Sequence, residues 1–371
     1  MYRYDIDGSS IMNGKISPFT RTPGIAGGAL IETHFADEII LNFESTDSYK
    51  YVYKIVGLRG SGKSVEYSLV MNHFREKKDW LVYSLSAGGN PIQTLLSLLS
   101  KESFVNDKTI SRSVEASASI GGNVALLAAN GSVNTSINVS RNDNYYSDEA
   151  DLKEMIACAR KKRYKILIGI DDIAKTDEMI RFLSILGTIL IEPEVNVRFV
   201  CTGLSKNIED FVNVPHLSFF VRNDAVKMKP LDLHSIARKY RQLLEIKQED
   251  SIELAKFTEG YAYAYQVLGE ICFNQKKSVI DDEITEEFDD TIGSQYDLLW
   301  NSMTEAEQEL VRIIVNTESG LVSEIKKKMD KESGFTSLRD RLLKKHMLLA
   351  KSRGVIMVPL PRFKEYVNNW H

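Results

Sequence analysis

The clearest pattern in the chain is a short apolar strand that gives way to a glycine-rich turn and then to a helix. Residues 51–56 (YVYKIV) are β-branched or aromatic for the most part, which predicts a buried strand. After the turn, Val65 and Leu69 fall at helical spacing. Similar strands are predicted at 80–85, 165–170 and 197–203, with helices between them. Alternation of this kind predicts an α/β fold with a parallel, doubly wound sheet.

The turn carries the first candidate chemistry. Residues 57–64 (GLRGSGKS) match G-x-x-x-x-G-K-[ST] at every fixed position. Glycines let backbone N–H groups surround a phosphate, and the start of the helix adds partial positive charge. Lys63 is placed to reach the outer phosphates, and the Ser64 hydroxyl to ligate Mg²⁺. The predicted nucleotide-binding residues are Gly57, Arg59, Gly60, Ser61, Gly62, Lys63, Ser64 and Val65. The alternative is a glycine-rich turn that contains Lys-Ser by chance.

Two later strands end in polar residues. Residues 165–170 lead into Asp171 and Asp172, and residues 197–201 lead into Thr202. Ligands bind at the carboxyl ends of parallel strands, so these side chains are candidates for the same site. We predict that Asp171 holds Mg²⁺ through water, that Asp172 polarises an attacking water, and that Thr202 orients water or the γ-phosphate. The alternatives are an Asx-type turn at the aspartates and a helix cap at Thr202.

Residues 110–147 interrupt the strand–helix rhythm. Apolar and polar residues alternate in two runs on either side of Asn130-Gly131, a dipeptide typical of a type I′ turn. This pattern predicts a β-hairpin inserted at about residues 112–142 and packed on its own domain.

The second half of the chain is predicted to be mainly helical. Residues 231–278 show apolar stripes at helical spacing, and seven of the ten residues from 281 to 290 are acidic, which indicates a solvated linker or a helix face. Thr304 and Glu307 form a predicted capping box, and two more helices and two short strands follow. Three helices and a β-hairpin are the plan of a winged helix-turn-helix. Its predicted DNA-contacting residues are Arg339, Arg341, Lys344 and Lys345 on the third helix and Lys351 and Arg353 on the wing.

Composition narrows the class of protein. The chain has 371 residues, of which 43% are hydrophobic and 26% charged, as in soluble globular proteins. It has no apolar run of membrane-spanning length and no signal-peptide pattern, so we expect a cytoplasmic protein without membrane contact. Its three cysteines lie far apart and are predicted to be reduced, and its histidines show no zinc spacing. From residue 296 onward there are 13 Lys+Arg and 10 Asp+Glu, a net charge of +3 in a chain of net charge −4.

These motifs occur in the order found in one known family. The chain resembles the AAA+ ATPases of the origin-recognition/initiator type and borders on the STAND signalling ATPases. The resemblance rests on Gly57, Gly62, Lys63, Ser64, Asp171, Asp172, Thr202, Gly203, residues 229–231, 299–300 and 361–363, and residues 17–20. It implies a nucleotide-binding domain at 1–230, a helical lid and acidic linker at 231–294, and a winged-helix domain at 295–371. Residues 17–24 are either a plain linker or, as in related ATPases, a loop over the nucleotide base.

The resemblance implies ATP and Mg²⁺ as cofactors and ATP hydrolysis as the activity. The family usually has Asp-Glu where this chain has Asp171-Asp172, so hydrolysis is expected to be slow. The lid lacks the expected arginine between residues 258 and 265, which leaves Arg222 as a candidate arginine finger acting in trans.

Two main functions follow from the resemblance. One is an ATP switch that couples nucleotide state to double-stranded DNA binding through the winged helix. The alternative is a STAND-like signalling ATPase whose winged helix contacts protein. Further copies of the chain or a partner protein would then be its partners. A third hypothesis, in which the nucleotide is purely structural, remains open at this point.

Overall fold

A five-stranded parallel sheet forms the centre of the N-terminal part of the chain. The structure is a computed structural model, and it describes residues 11–12, 15–47, 50–105, 145–192, 194–223, 225–329 and 332–371. The strands are β1 (Ile11–Met12), β2 (Lys15–Ile16), β3 (Val52–Val56), β4 (Trp80–Leu85), β5 (Lys165–Ile170), β6 (Val197–Gly203), β7 (Ala225–Lys227), β8 (Leu349–Ser352) and β9 (Val355–Met357). The order across the large sheet is β4-β5-β6-β3-β7, and every neighbouring pair is parallel. The remaining strands form two antiparallel pairs, β1-β2 and β8-β9.

The helices of the described residues fall into two sets. Around the sheet lie α1 (Phe35–Glu44), α2 (Lys63–Arg75), α3 (Pro91–Leu99), α4 (Tyr145–Lys161), α5 (Asp177–Leu190), α6 (Ser205–Glu209) and α7 (Ser218–Arg222). After the sheet come α8 (Leu233–Leu244), α9 (Gln248–Phe257), α10 (Ala262–Gln275), α11 (Asp282–Asn301), α12 (Glu305–Val315), α13 (Val322–Lys328), α14 (Phe335–Lys344) and α15 (Phe363–Trp370). Short 3₁₀ turns occupy Gly27–Ala29 and Glu332–Gly334.

Helices cover both faces of the sheet because successive residues of a strand point to opposite sides. The central strands β3 and β6 are buried along their whole length. One apolar cluster joins Tyr53 and Ile55 of β3 to α1 and α2. The other joins Ile168 of β5 and Phe199 of β6 to α3, α4 and α5. The α/β fold predicted from the alternation of strands and helices is confirmed.

The helices from α8 to α15 share one continuous apolar cluster. Tyr296 of α11 lies inside it and donates a hydrogen bond to the carbonyl of Pro361 at 2.6 Å. Arg362 forms a two-pronged ion pair with Asp289, also on α11. Because α11 contacts both α10 and α15, it connects helices α8 to α10, here called the lid, to the C-terminal elements.

The N-terminal loop is attached to the lid. Phe19 is fully buried there, with its ring centroid 5.8 Å from that of Tyr240 and 5.7 Å from that of Tyr265. Arg21 forms an ion pair with Glu270 of α10 at 2.7 Å. The loop is therefore a packed part of the lid core and not a plain linker.

The C-terminal elements follow the predicted order of three helices and an antiparallel strand pair. Thr304 and Glu307 form the predicted capping box at the start of α12. Leu349 of β8 pairs with Met357 of β9. The winged-helix assignment of this segment stays a prediction.

Several local expectations can be compared with the structure. The sequence predicts an amphipathic helix from about residue 30 to residue 43. The observed helix α1 begins at Phe35, because a 3₁₀ turn and the left-handed His34 precede it. The acidic residues 281–290 belong to a helix face, since α11 runs unbroken from Asp282 to Asn301 and Asp281 caps it. The predicted domain boundary at 294 falls inside that helix. The predicted hairpin at about 112–142 lies outside the described residues.

Among the described helices, none combines the length and apolarity needed to cross a membrane.

The attachment of the loop to the lid gives a stability prediction. A Cβ atom at Gly269 would lie 2.4 Å from the Phe19 ring, whereas a Cβ at Gly293 would meet nothing within 4 Å. We expect Gly269→Ala to lower the free energy of unfolding by about 2 kcal/mol, because Phe19 must leave its site. Gly293→Ala, the control on helix α11, should raise it by up to about 1 kcal/mol. Urea unfolding measures both, and equal values for the two variants would contradict the packing described.

Candidate functional site

The glycine-rich loop lies between the end of β3 and the start of α2. Gly60 and Gly62 have φ angles of 72° and 93°, a left-handed conformation that residues with a Cβ adopt at a cost. Residues from Gly60 to Ser64 line a cavity of about 320 Å³. The strand–loop–helix context that the motif requires is therefore present.

Lys63 is buried at the first residue of α2, with 7% of its surface exposed. Its Nζ donates a hydrogen bond to the carbonyl oxygen of Leu58 at 2.7 Å. Burial lowers the pKa of Lys63 to about 8, while the carboxylates of Asp172 and Asp171 act in the opposite direction. The ammonium group thus lies inside the loop, within electrostatic reach of both aspartates.

Asp171 joins three elements at the carboxyl edge of the sheet. One of its carboxylate oxygens accepts hydrogen bonds from the Ser64 hydroxyl at 3.1 Å and from the Thr202 hydroxyl. β5, β6 and β3 are neighbours in the sheet, so their carboxyl ends bring these three side chains together. Both donors to the Asp171 carboxylate belong to other segments of the chain. In the Asx-type turn considered as an alternative, the carboxylate would instead bond to its own nearby backbone.

Thr202 is fully buried and bridges the two aspartates. Its oxygen also accepts a hydrogen bond from the backbone N–H of Asp172 at 2.8 Å. Helix α6 has Leu204 as its N-cap and receives no side-chain cap, so Thr202 does not act as a helix cap. Asp172 has a φ of 55°, a strained conformation for a residue other than glycine, and its side chain is exposed.

The cavity has walls from three parts of the chain. The glycine-rich loop of residues 57–64, here called the phosphate loop, forms one wall. The N-terminal loop forms the second wall and the lid the third. The N-terminal wall includes Thr20, Arg21, Pro23, Ile25, Ala29 and Ile31, and the lid wall includes Leu231, Ala262, Tyr263, Tyr265 and Gln266. Glu66 lies at the edge, where its buried carboxylate accepts bonds from Thr33 and from the N–H of Ala36. Burial raises the pKa of Glu66, and these bonds oppose the rise.

The start of α10, one of the lid helices, contacts the phosphate loop directly. The Tyr261 hydroxyl donates to the carbonyl of Arg59 at 2.7 Å, and the N–H of Tyr263 donates to the carbonyl of Gly60 at 3.0 Å. Sequence reasoning missed these residues, although alternate tyrosines at 261, 263 and 265 directly after Gly260 are a visible signal.

Magnesium fits the residues at the strand ends only in part. The Ser64 hydroxyl and the Asp171 carboxylate are oxygen ligands of the kind that Mg²⁺ prefers, and they lie 3.1 Å apart. The described residues contain no group of three His, Cys, Asp or Glu side chains that could hold a metal. This ligand set fits an ion that completes its coordination with water and phosphate oxygens. Ser61 Oγ, buried near Gly57, has no hydrogen-bond partner among the described residues.

The remaining predicted site residues lie away from the cavity. Arg222 ends α7 with an exposed side chain, outside the cavity lining. On α14, Arg339 pairs with Asp340 at 2.7 Å. Lys345 lies 2.6 Å from the buried carboxylate of Glu307 on α12, which Arg341 also approaches at 3.7 Å. Lys344 lies 3.9 Å from Glu209 on α6, and Lys351 and Arg353 are exposed on the strand pair.

The end of α14 reaches the carboxyl edge of the sheet. His346 follows that helix with a φ of 60°, and its Nε2 lies 2.7 Å from the Ser205 hydroxyl at the start of α6. Burial lowers the pKa of His346, as do the positive charges of Lys227 and Lys63. No pattern in the sequence indicated this contact, because the two residues are 141 positions apart.

The Thr202 bridge gives a prediction for the site itself. Thr202→Val keeps the shape of the side chain but removes a donor to Asp171 and the acceptor for the Asp172 amide. We expect it to lower the free energy of unfolding by about 2 kcal/mol, because buried polar groups lose partners. Thr202→Ser keeps the hydroxyl and should cost about 1 kcal/mol for one lost methyl group. Urea unfolding compares the two; a valine variant as stable as the serine variant would contradict the bridge.

Comparison with known proteins places the fold. No family model and no curated protein matches the sequence. Among solved structures, a Walker-type ATPase of Pyrococcus abyssi superposes with a TM-score of 0.62 at 11% identity, covering 94% of this chain and 99% of the other. The ORC2 protein of Aeropyrum pernix, solved as ADPNP–ADP complexes, superposes with a TM-score of 0.50 at 12% identity, covering 96% of both chains. The chain therefore shares the fold of these two solved structures.

Proposed function

We propose that this protein binds ATP with Mg²⁺, hydrolyses it slowly, and uses the nucleotide state as a switch. The observation that carries the proposal is the junction of Ser64, Asp171 and Thr202 at the carboxyl edge of the sheet, beside the phosphate loop. A structural turn alone would not require a buried lysine and two acids at that place. Their combination supports binding of a charged ligand with its cation.

Each residue of the junction has a role in this proposal. The amides of the phosphate loop and the N-terminus of α2 hold the phosphates, and Lys63 adds a positive charge to them. Ser64 ligates Mg²⁺ directly and Asp171 holds it through water. When bound, Mg²⁺ neutralises negative charge on the outer phosphates. Thr202 keeps Asp171 and the Asp172 backbone in place, and Asp172 orients the attacking water.

Slow hydrolysis follows from two features of the chain. Asp172 is one methylene shorter than the glutamate usual in the family, and general-base catalysis tolerates little displacement. Residues 258–265, at the start of α10, offer tyrosines and no arginine to the phosphates. Arg222, exposed at the end of α7, is available to act on the site of a neighbouring copy.

Nucleotide binding is the first thing to test. Lys63→Ala should weaken ATP binding by roughly 10- to 100-fold in isothermal titration with Mg²⁺, because a charge-assisted contact to phosphate is lost. Asp172→Asn should bind ATP as the wild type does and lose roughly 100-fold in turnover, since the carboxylate acts on water and not on binding. A wild-type protein that takes up no ATP with Mg²⁺ would overturn the proposal.

The output of the switch is proposed to be double-stranded DNA binding by the C-terminal module. Lys351 and Arg353 on the strand pair are exposed and would contact phosphates. The cations of α14 would contribute only after their intramolecular ion pairs open. DNA affinity should therefore be low and strongly dependent on salt, and several copies of the module would be needed for tight binding.

A second candidate function is favoured by the same ion pairs. Lys344 faces Glu209, Lys345 faces Glu307, and His346 meets Ser205, so α14 is engaged within the chain. In a STAND-like switch this packing would be the resting arrangement, and a protein would be the partner of the released module.

Salt dependence separates these two outputs. In the DNA-binding function, full-length protein retains duplex DNA at low salt, and the double variant Lys351→Ala/Arg353→Ala lowers the slope of log affinity against log salt by about two. Each phosphate contact that is lost reduces by about one the number of counterions released when the protein binds DNA. Fluorescence anisotropy with labelled duplex measures the slope.

The control is the double variant Lys247→Ala/Lys276→Ala, which removes two exposed lysines of the lid helices. It should leave the slope unchanged. Wild-type protein that ignores DNA at low salt, with and without ATP, would reject the DNA-binding function and favour the protein-binding switch.

A further inference from the structure

The contact between the lid and the phosphate loop has a consequence for phosphate binding. Two carbonyl oxygens in the middle of the loop, those of Arg59 and Gly60, each accept a hydrogen bond from the start of the lid. The donors are the Tyr261 hydroxyl and the Tyr263 amide. Both acceptors lie in the turn that the motif assigns to phosphate, so the lid acts on the peptide units that bind the ligand.

Peptide geometry turns these contacts into a constraint. In a trans peptide the C=O and the N–H point in opposite directions across a rigid plane. Holding the Arg59 carbonyl toward Tyr261 directs the Gly60 N–H away from the lid, and holding the Gly60 carbonyl toward Tyr263 does the same for the Ser61 N–H. That amide points toward the Leu58 carbonyl, which also accepts the bond from Lys63 Nζ. The Ser61 amide and the lysine thus point toward the same carbonyl oxygen of the loop.

The fit at Gly60 leaves little freedom. A Cβ atom there would lie 2.3 Å from the Tyr261 hydroxyl and 2.8 Å from Cβ of Tyr263. Gly60 also has a left-handed φ of 72°. Tyr261 is 5% exposed, and burial raises its pKa, so its hydroxyl remains a donor throughout the neutral pH range. The two hydrogen bonds from Tyr261 and Tyr263 to the phosphate loop therefore involve backbone groups and one buried hydroxyl, all of them uncharged.

We infer that Tyr261 is a positioning residue that sets the phosphate-binding orientation of the loop peptides through its bond to Arg59. The inference rests on the proposed function, because it concerns the same ATP site. It assigns the coupling between lid and phosphates to a neutral hydrogen bond to the loop, in a chain with no arginine between residues 258 and 265. Docking of the lid and binding of the phosphates then favour each other, as linkage requires.

The test compares two tyrosines of the same kind. Tyr261→Phe removes only the hydroxyl that reaches Arg59. Tyr240→Phe removes a hydroxyl that is equally buried in the lid and donates to the carbonyl of Tyr265, also at 2.7 Å, outside the phosphate loop. Dissociation constants for ATP with Mg²⁺ are measured by isothermal titration, those for inorganic tripolyphosphate by competition, and stability by urea unfolding.

We expect Tyr261→Phe to raise the dissociation constants of ATP and of tripolyphosphate by the same factor, roughly three- to tenfold. Tyr240→Phe should lose a similar amount of stability and leave both constants unchanged. Unchanged binding by Tyr261→Phe would overturn the inference. A loss of affinity for ATP without a loss of affinity for tripolyphosphate would also overturn it, since the effect would then act on the binding of the base. If wild-type protein binds ATP and Tyr261→Phe binds it equally well, only this inference fails. If wild-type protein binds neither ligand, the proposed function fails.

Discussion

The hydrogen bonds to the Asp171 carboxylate hold the site together. Ser64 comes from the phosphate loop and Thr202 from the neighbouring strand, and both donate to the same oxygen. The bonds are possible because β5, β6 and β3 lie side by side and in parallel, so their carboxyl ends share one edge. A carboxylate that accepts two hydroxyl donors is fixed in place before any ligand arrives. Preorganisation of this kind would lower the cost of binding the proposed cation and phosphates.

The second constraint is that the cavity belongs to no single part of the chain. Phe19 is packed into the lid core and Arg21 pairs with Glu270, so the wall formed by the N-terminal loop is attached to the wall formed by the lid. The phosphate loop is the third wall, and Tyr261 joins it to the lid. Any movement of the lid relative to the sheet would therefore change the cavity both at the N-terminal loop and at the phosphate loop. This arrangement would give the proposed nucleotide switch a physical basis, since a ligand that contacts several walls favours the arrangement in which they meet.

The C-terminal elements illustrate how charge content and charge placement differ. Residues from 296 onward carry a net charge of +3, a modest excess. In the fold, Lys345 and Arg341 approach the buried Glu307, which also caps α12. Burial alone would raise the pKa of Glu307, but the bonds from Lys345 and Thr304 outweigh burial and lower it. Those cations satisfy an acid within the chain, so they are not freely offered to a partner in this arrangement.

The sequence determined the elements whose signal is local. The phosphate loop, the strands ending at Asp171 and Thr202, and the capping box at Thr304 follow from short motifs and from periodicity, because strand burial and helix capping act over a few residues. The tertiary structure decided which distant groups meet. It placed Tyr261 on the phosphate loop, His346 beside Ser205 and Arg222 outside the cavity, and it turned the acidic stretch after residue 280 into one face of a long helix. Such contacts depend on how helices dock around a shared core, and no spacing along the chain encodes that docking.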